Sequence, residues 1–338
     1  MDKVIAKHLN RIISGIKVGQ ISDCEAVIGT SVGLKRTENQ DRVVISKVHG
    51  DKNLIYCFIL CDGMGGMVEG GTAASYTVAN ILSKLSEIDV ENENFTDLIK
   101  KIIIETNTGL SKQTGGKSGT TLTMLLVKKS GAYLVSIGDS RAYTFALDKP
   151  HLLTEDDNII NELKEISNIK VNESLVKKNG LTQFIGMEDD PEFEVDILSN
   201  KEEYLLSSDG FHLIGDNNLS LFKKYANTPV EYIQRCIHYS NWIGGVDNSS
   251  AIYIEPKKLP FTSHEKGLIE LWDPSGYFRF KALKVETEEK PIPVKRYIKN
   301  DVSKKLLKEN KSVSESDNEG LEISTEASPT VGGSKSKS

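Results

Sequence analysis

The sequence predicts an α+β fold in which two antiparallel sheets pack face to face with helices outside. Three observations carry this. Leu54 to Cys61 (LIYCFILC) is an almost unbroken apolar run of eight, the pattern of a strand covered on both faces. Gly70 to Ile88 and Phe95 to Gln113 each carry apolar residues at helical spacing, so a helix pair covers one sheet face. Thr121 to Val127 and Ala132 to Ile137 are joined by Lys128-Lys129-Ser130-Gly131, a hairpin-type connection.

The remaining elements follow in order. Val4, Ile5, Leu9, Ile12, Ile13 and Ile16 fall at helical spacing and predict one amphipathic N-terminal helix that packs on its own domain. Cys24 to Gly33 reads as a strand, and the polar loop Leu34 to Asp41 leads into a second strand, Arg42 to Lys47. Arg141 to Leu147, Phe193 to Leu198, Glu203 to Ser207 and Ser250 to Glu255 read as further strands. Asn158 to Asn179 is a polar helix with Ile159, Ile160, Leu163 and Ile166 as its apolar positions, and Pro229 to Ile243 is another helix. Beyond Pro256 two alternating segments, Gly267 to Trp272 and Tyr277 to Val285, flank Asp273-Pro274-Ser275-Gly276, which has type I turn chemistry. The organisation expected is a main domain over 1–256, an appended β-hairpin segment over 257–299 outside it, and a tail over 300–338. That tail is too poor in hydrophobic residues to fold alone and is expected to be disordered.

With 338 residues and 38% hydrophobic content, the chain can bury a large core. Its net charge of −6 carries no nucleic-acid signature. No apolar run reaches membrane-spanning length, and the lysines and arginine of the first twenty residues exclude a secretory h-region. Cys24, Cys57, Cys61 and Cys236 include no Cys-x-x-Cys pair and are expected to be reduced core thiols of a cytoplasmic, monomeric protein without structural zinc.

Five aspartates stand where strands break into loops: Asp41 in RTENQD, Asp62 in CDGMGG, Asp139 in IGDSR, Asp209 in SSDGF and Asp247 in VDNSS. One of them alone is an ordinary turn residue, and Asp62-Gly63 by itself is a common hairpin signal. Five at strand ends of one sheet system point to a shared pocket. Converging carboxylates tolerate one another when cations neutralise them, and an all-oxygen set without His or Cys selects Mg²⁺ or Mn²⁺. Two such ions about 3.5–4 Å apart lower the pKa of a shared water and offset charge on a phosphate. Arg36 lies in the loop that carries Asp41, and a guanidinium grips two phosphate oxygens at once. Gly116-Lys117-Ser118 does not make a phosphate-binding loop, because Ser111 stands where a Gly is needed and the segment follows a helix and precedes a strand.

In order, R-x-x-x-x-D, D-G-x-G-G, S-G-T-T, G-D-S-R, S-D-G and D-N resemble the metal-dependent protein phosphatase family (PPM, the type 2C serine/threonine phosphatases), its bacterial branch above all, over roughly Ala26 to Glu255. The resemblance implies an α-β-β-α sandwich. It implies a metal-dependent phosphoric monoester hydrolase acting on phosphorylated proteins, the products of a cognate serine/threonine kinase. It makes Asp62 the bridge between two metals, the Gly63 carbonyl a ligand of one, and Asp209 with Asp247 ligands of the other. Asp41 acts close to the pair, in part through water. Asp139, with Asp209, matches the site of a third ion. Arg36 holds the substrate phosphate, Gly119, Thr120 and Thr121 match a structural motif, and Asn158 to Gly186 corresponds to a flap. Departures are Gln40 and Met64, where eukaryotic members carry a metal-binding Glu and a His proposed as general acid, and His212, where an acid is usual. His212 reads as a satisfied loop histidine. The competing reading is a pseudophosphatase that binds phosphoproteins without turning them over; it predicts loss of a metal aspartate, and all are present.

Overall fold

A computed structural model of the chain describes residues 1–50, 53–64, 69–89, 91–162, 180–262 and 265–281. Its elements are α1 (Asp2–Leu9), β1 (Ile16–Ile21), β2 (Ala26–Ser31), β3 (Arg42–His49), β4 (Leu54–Cys61), α2 (Gly70–Leu85), α3 (Phe95–Thr114), β5 (Leu122–Lys128), β6 (Gly131–Ile137), β7 (Arg141–Ala146), β8 (Lys149–Leu152), β9 (Asp196–Leu198), β10 (Tyr204–Ser207), α4 (Asp209–His212), α5 (Asp216–Tyr225), α6 (Pro229–Trp242), β11 (Ser249–Ile254), β12 (Leu268–Asp273) and β13 (Gly276–Lys281). One sheet runs β1-β2-β11-β10-β7-β8 and the other β13-β12-β3-β4-β5-β6-β9. The pairings are antiparallel. This is the expected sandwich of two sheets with helices on the outer faces.

Strand β4 shows why its sequence is apolar without alternation. Tyr56, Phe58 and Leu60 face the other sheet and pack with Ile28, Leu206 and Ile252. Ile55, Cys57 and Ile59 face outward under Ala74, Val78 and Ile81 of α2 and Ile99 and Ile103 of α3. A strand with both faces covered needs apolar residues at every position. On the opposite outer face, Val27, Leu205 and Ala251 pack under Tyr232, Ile233 and Ile237 of α6. Each such side chain, fully buried, contributes roughly 1.5–3 kcal/mol.

Three expectations need correction. The N-terminal helix stops at Leu9; Ile12 is 96% exposed and Ile16 begins β1. Gly15 at φ +67° makes the break, a conformation open to Gly at little cost. Helical spacing across Ile12 to Ile16 was therefore coincidence. The strand expected from Cys24 begins at Ala26, after a short 3₁₀ turn over Ser22–Cys24.

The hairpin is the third and largest correction. It does not lie outside the main domain: β12 pairs with β3 from Ile269↔Val48 to Trp272↔Ile45 and completes the second sheet. Leu268, Ile269, Leu271 and Trp272 are buried in the core. Alternation in this segment marks a sheet edge, and the boundary at 256 cuts through the sandwich. His8 of α1 and Asp273 at the hairpin turn, both buried, meet at 3.1 Å and tie the first helix to it. The tail over 300–338 and the end of the appended segment, from 282, lie outside the described residues, as does the part of the expected Asn158 to Asn179 helix beyond Glu162. Among the described residues no helix is long and apolar enough to cross a membrane.

Candidate metal centre

Antiparallel pairing places strand ends of opposite sense at one edge. In the second sheet Arg42, which starts β3, pairs with Cys61, which ends β4, so Asp41 and Asp62 leave the sheet side by side. In the first, Ser207 pairs with Ala251, so Asp209 after β10 and Asp247 before β11 do the same. The two sheets present these edges to each other. The Ser208 hydroxyl donates to Asp41 Oδ2 at 3.0 Å, and the Ser250 N–H donates to Ser208 Oγ at 2.9 Å. Asp209 lies close enough to Asp62 for its charge to raise the Asp62 carboxyl.

The backbone at Asp62 is clamped. Its carbonyl accepts from Thr120 Oγ1 and the Thr121 N–H, each at 2.9 Å, and its N–H donates to Thr121 Oγ1 at 2.9 Å. That is the physical content of the Gly119-Thr120-Thr121 motif: it holds Asp62 through its main chain. Gly63 cannot be larger, because a Cβ there would sit 2.5 Å from the Gly70 carbonyl and 2.9 Å from that of Gln40. Gly210 is equally confined; a Cβ would lie 2.1 Å from the Asn248 carbonyl. These contacts let the loop after β4 pack on the start of α2 and on the loop before β3, and let the start of α4 pack on the loop before β11.

Arg36 Nη2 donates to Asp247 Oδ2 at 2.6 Å. Asp247 Oδ1 accepts from the Asn248 N–H at 2.8 Å. Asn248 stands in the D-N motif without an assigned role, and it ties the loop of Arg36 and Asp41 to β11. Its Oδ1 accepts from the Gln40 N–H, and its Nδ2 donates to the carbonyls of Val32 and Glu38. Ser208 stands in the S-D-G motif without an assigned role, and Arg42 was not singled out. Arg42 is buried and donates to Ser75 and to the carbonyls of Asn39 and Asp41. The signal for Asn248 and Ser208 was their place next to motif aspartates; Arg42 reads as an ordinary strand residue.

Asp139 lies in the turn between β6 and β7. Asp157 accepts from the Gly138 N–H at 2.7 Å, and Arg141 makes a two-pronged bond to Asp156, 2.8 Å on each arm. These acids come from the stretch before the expected flap helix.

The charges are mutually costly. Burial, then the neighbouring Asp41, Asp209, Asp139 and Asp247, drive the Asp62 carboxyl well above its ordinary range. Burial chiefly, opposed by hydrogen bonds from Ser250 and Ser208 and reinforced by Asp209 and Asp247, lifts Asp41 to about 7. Asp209 rises to about 7 through burial, Asp139 and Asp247, and Asp139 to about 6 through burial and Asp156. Oδ1 of Asp41 and Oδ1 of Asp209 are buried without a hydrogen-bond partner. The acids thus share one neighbourhood, although among the described residues no three acidic, His or Cys side chains stand at the spacing of a closed ligand set. Repulsion between carboxylates favours that spread. His212 bonds through Nδ1 to Ser207 Oγ at 3.2 Å, and burial pushes it down to about 3, so it is neutral and satisfied, as expected. All four cysteines are buried, and burial raises their thiols, which removes them as nucleophiles.

Comparison with known proteins agrees with this geometry. The family described as "Protein phosphatase 2C" matches residues 28–242. A "Putative protein phosphatase 2C-type" of Streptococcus pyogenes serotype M6 is 31% identical over 235 residues, which cover 65% of this chain and 92% of the relative. "Serine/threonine phosphatase stp" of Listeria innocua serovar 6a is 26% identical over 67% of this chain and 93% of its own. The solved serine/threonine phosphatase of S. agalactiae has the same fold, with a TM-score of 0.60 at 24% identity over 71% of this chain and 98% of that one. The sandwich, the clamped strand-end aspartate and these matches lead to one assignment: the chain belongs to the protein phosphatase 2C family and is a protein phosphatase.

Proposed function

We propose that the enzyme hydrolyses phosphoserine and phosphothreonine monoesters in proteins, with two Mn²⁺ or Mg²⁺ ions at the aspartate cluster. The observation that supports this best is the pair of buried, partnerless carboxylate oxygens on Asp41 and Asp209 within a group of acids that raise one another's pKa. Such a group fits hard divalent cations, since all its donors are oxygens. Asp62 and the Gly63 carbonyl would hold one ion, with Asp62 shared; Asp209 and Asp247 would hold the other. Asp139 with Asp209 would offer a place for a third. When bound, such ions supply Lewis acidity toward water and phosphate oxygens.

The chain's own residues do the rest. Arg36 leaves Asp247 to grip the phosphate with its planar fork. Asp41, held by Ser208, orients the attacking water, and Thr120 and Thr121 keep Asp62 from moving. No cysteine or histidine of the site takes the proton or the phosphoryl group, so attack is direct, without a phosphoenzyme. The substrates would be phosphoproteins made by a serine/threonine kinase, met by a monomer in the cytoplasm.

The test is turnover of p-nitrophenyl phosphate and of a phosphothreonine peptide by purified protein, in EDTA and with Mn²⁺ or Mg²⁺ restored. Turnover of both only with metal supports the reading. Binding of the peptide without turnover, with either metal, overturns it in favour of a phosphoprotein-binding module.

A further inference from the structure

Beside the aspartate cluster lies an exposed apolar rim that no step above uses. Trp242 is 79% exposed, Val246 54% and Leu34 66%, with Ile243 at 42%. Single exposed apolar residues are ordinary on any protein surface. These come from two segments that touch each other and that carry Arg36 and Asp247. Leu34 and Lys35 both donate their N–H to the Gly245 carbonyl, at 2.7 and 3.2 Å. Gly33 and Gly245 allow this close approach: a Cβ on Gly33 would stand 2.3 Å from the Asp247 carbonyl, and one on Gly245 would stand 2.8 Å from Leu34 Cγ. At the base of the rim, Ser240 Oγ donates to the Gly210 carbonyl at 2.6 Å, which ties the end of α6 to the residue after Asp209. Tyr239 stacks on Trp242, ring centroids 5.6 Å apart, and backs the indole. The rim is therefore one backbone-linked piece with the residues that would take the phosphate.

We propose that Leu34, Trp242, Ile243 and Val246 are a docking surface for the substrate polypeptide, and that they favour phosphoproteins with an apolar side chain close to the phosphorylated residue. This rests on the phosphoprotein phosphatase reading and names a preference within it. A phosphoresidue is a small handle, and a substrate held by Arg36 must lay its flanking chain on the surface next to that arginine. The exposed Lys35, Thr37 and Glu38 of the Arg36 loop stand on that surface beside the apolar Leu34, Trp242, Ile243 and Val246, and burial of a Leu or Phe from the substrate on the apolar part yields binding energy that a Ser or Gly at the same place does not.

The experiment compares two phosphothreonine peptides of equal length and charge, one flanked by Leu and Phe, the other by Ser and Gly, with p-nitrophenyl phosphate as a substrate that has no flanking chain. The wild-type enzyme should show kcat/KM on the order of tenfold higher for the apolar peptide. Trp242→Ala should remove most of that preference through KM, and Trp242→Phe should restore it. Turnover of p-nitrophenyl phosphate by each variant reports that the fold and centre survive. Equal kcat/KM for the two peptides with the wild-type enzyme would overturn the docking surface and leave the phosphatase reading intact. Absence of metal-dependent turnover of all three substrates would overturn both. A wild-type dimer in sedimentation that Trp242→Ala converts to monomer, with no change in peptide preference, would assign the rim to a second copy of the chain and overturn the proposal.

Discussion

Arg36 Nη2 and Asp247 Oδ2 are 2.6 Å apart, so this partly exposed guanidinium beside the aspartate cluster is held by one of its members. The pair is partly open to solvent, Arg36 the more so. An exposed ion pair of this kind is worth little to stability. Its consequence is placement: the arginine is stationed at the mouth of the site without being buried there. Arg36→Ala should therefore leave thermal stability within experimental scatter and raise KM for a phosphopeptide on the order of tenfold or more, with kcat less affected. Arg36→Lys should recover only part, because an ammonium cannot reproduce the two-pronged grip. Steady-state kinetics on the three proteins checks this.

Asp62→Asn and Asp209→Asn should abolish metal-dependent turnover while the protein still folds. Both carboxyls are disfavoured as anions by burial and by their acidic neighbours, so a neutral amide removes repulsion from the metal-free fold. Melting temperature in EDTA should be unchanged or higher in the variants. Stabilisation of the wild type by added Mn²⁺ should be lost in them.

Metal-free protein should lose stability as pH rises. Asp41 and Asp209 ordinarily titrate near 3.8 and in the fold near 7. Between those values the folded state keeps protons that the unfolded state has released, so their contribution is full below about 4 and gone once pH passes about 7. Thermal melts in EDTA should show a lower midpoint at pH 8 than at pH 5, and Asp41→Asn should flatten that slope. With Mn²⁺ present the trend should weaken or reverse, since ions bind the deprotonated acids.

Ser208→Ala should matter more than its size suggests. It strips Asp41 Oδ2 of a buried donor, on a carboxylate whose other oxygen already has none. Loss of such a bond costs about 1–3 kcal/mol. The concentration of Mn²⁺ needed for half-maximal activity should rise on the order of tenfold. Denaturant melts and metal titrations measure the two effects separately.

Truncation after Pro260 should not give a trimmed, active domain. It exposes the β3 edge and the core around Ile45 that Trp272 covers, and it leaves His8 without Asp273. The expected product is insoluble or melts far below the longer chain, measured by expression and calorimetry. Soluble, fully active protein ending at Pro260 would show the hairpin to be dispensable.

The aspartates at strand ends were legible because a break in polarity after an apolar run is a local signal, and Asp62 needs nothing beyond its neighbours to be noticed. The helix pair over β4 was legible through periodicity. The partner of Arg36, the serine behind Asp41 and the reach of Asn248 were not. Each depends on which residue arrives from more than 160 positions away, and hydrogen bonds leave no periodic trace in the chain.

By itself, then, the sequence determined most of the elements, though not β1, β8 or α5, together with the apolar faces they bury and the acids at their ends, since these follow from side-chain spacing and backbone preference within a few residues. Only the tertiary structure decided that the C-terminal hairpin closes the second sheet and that the first helix is pinned to it. An alternating segment reads the same whether it stands alone or pairs with β3; the pairing is chosen by long-range burial of Leu268, Ile269, Leu271 and Trp272, which no local pattern encodes.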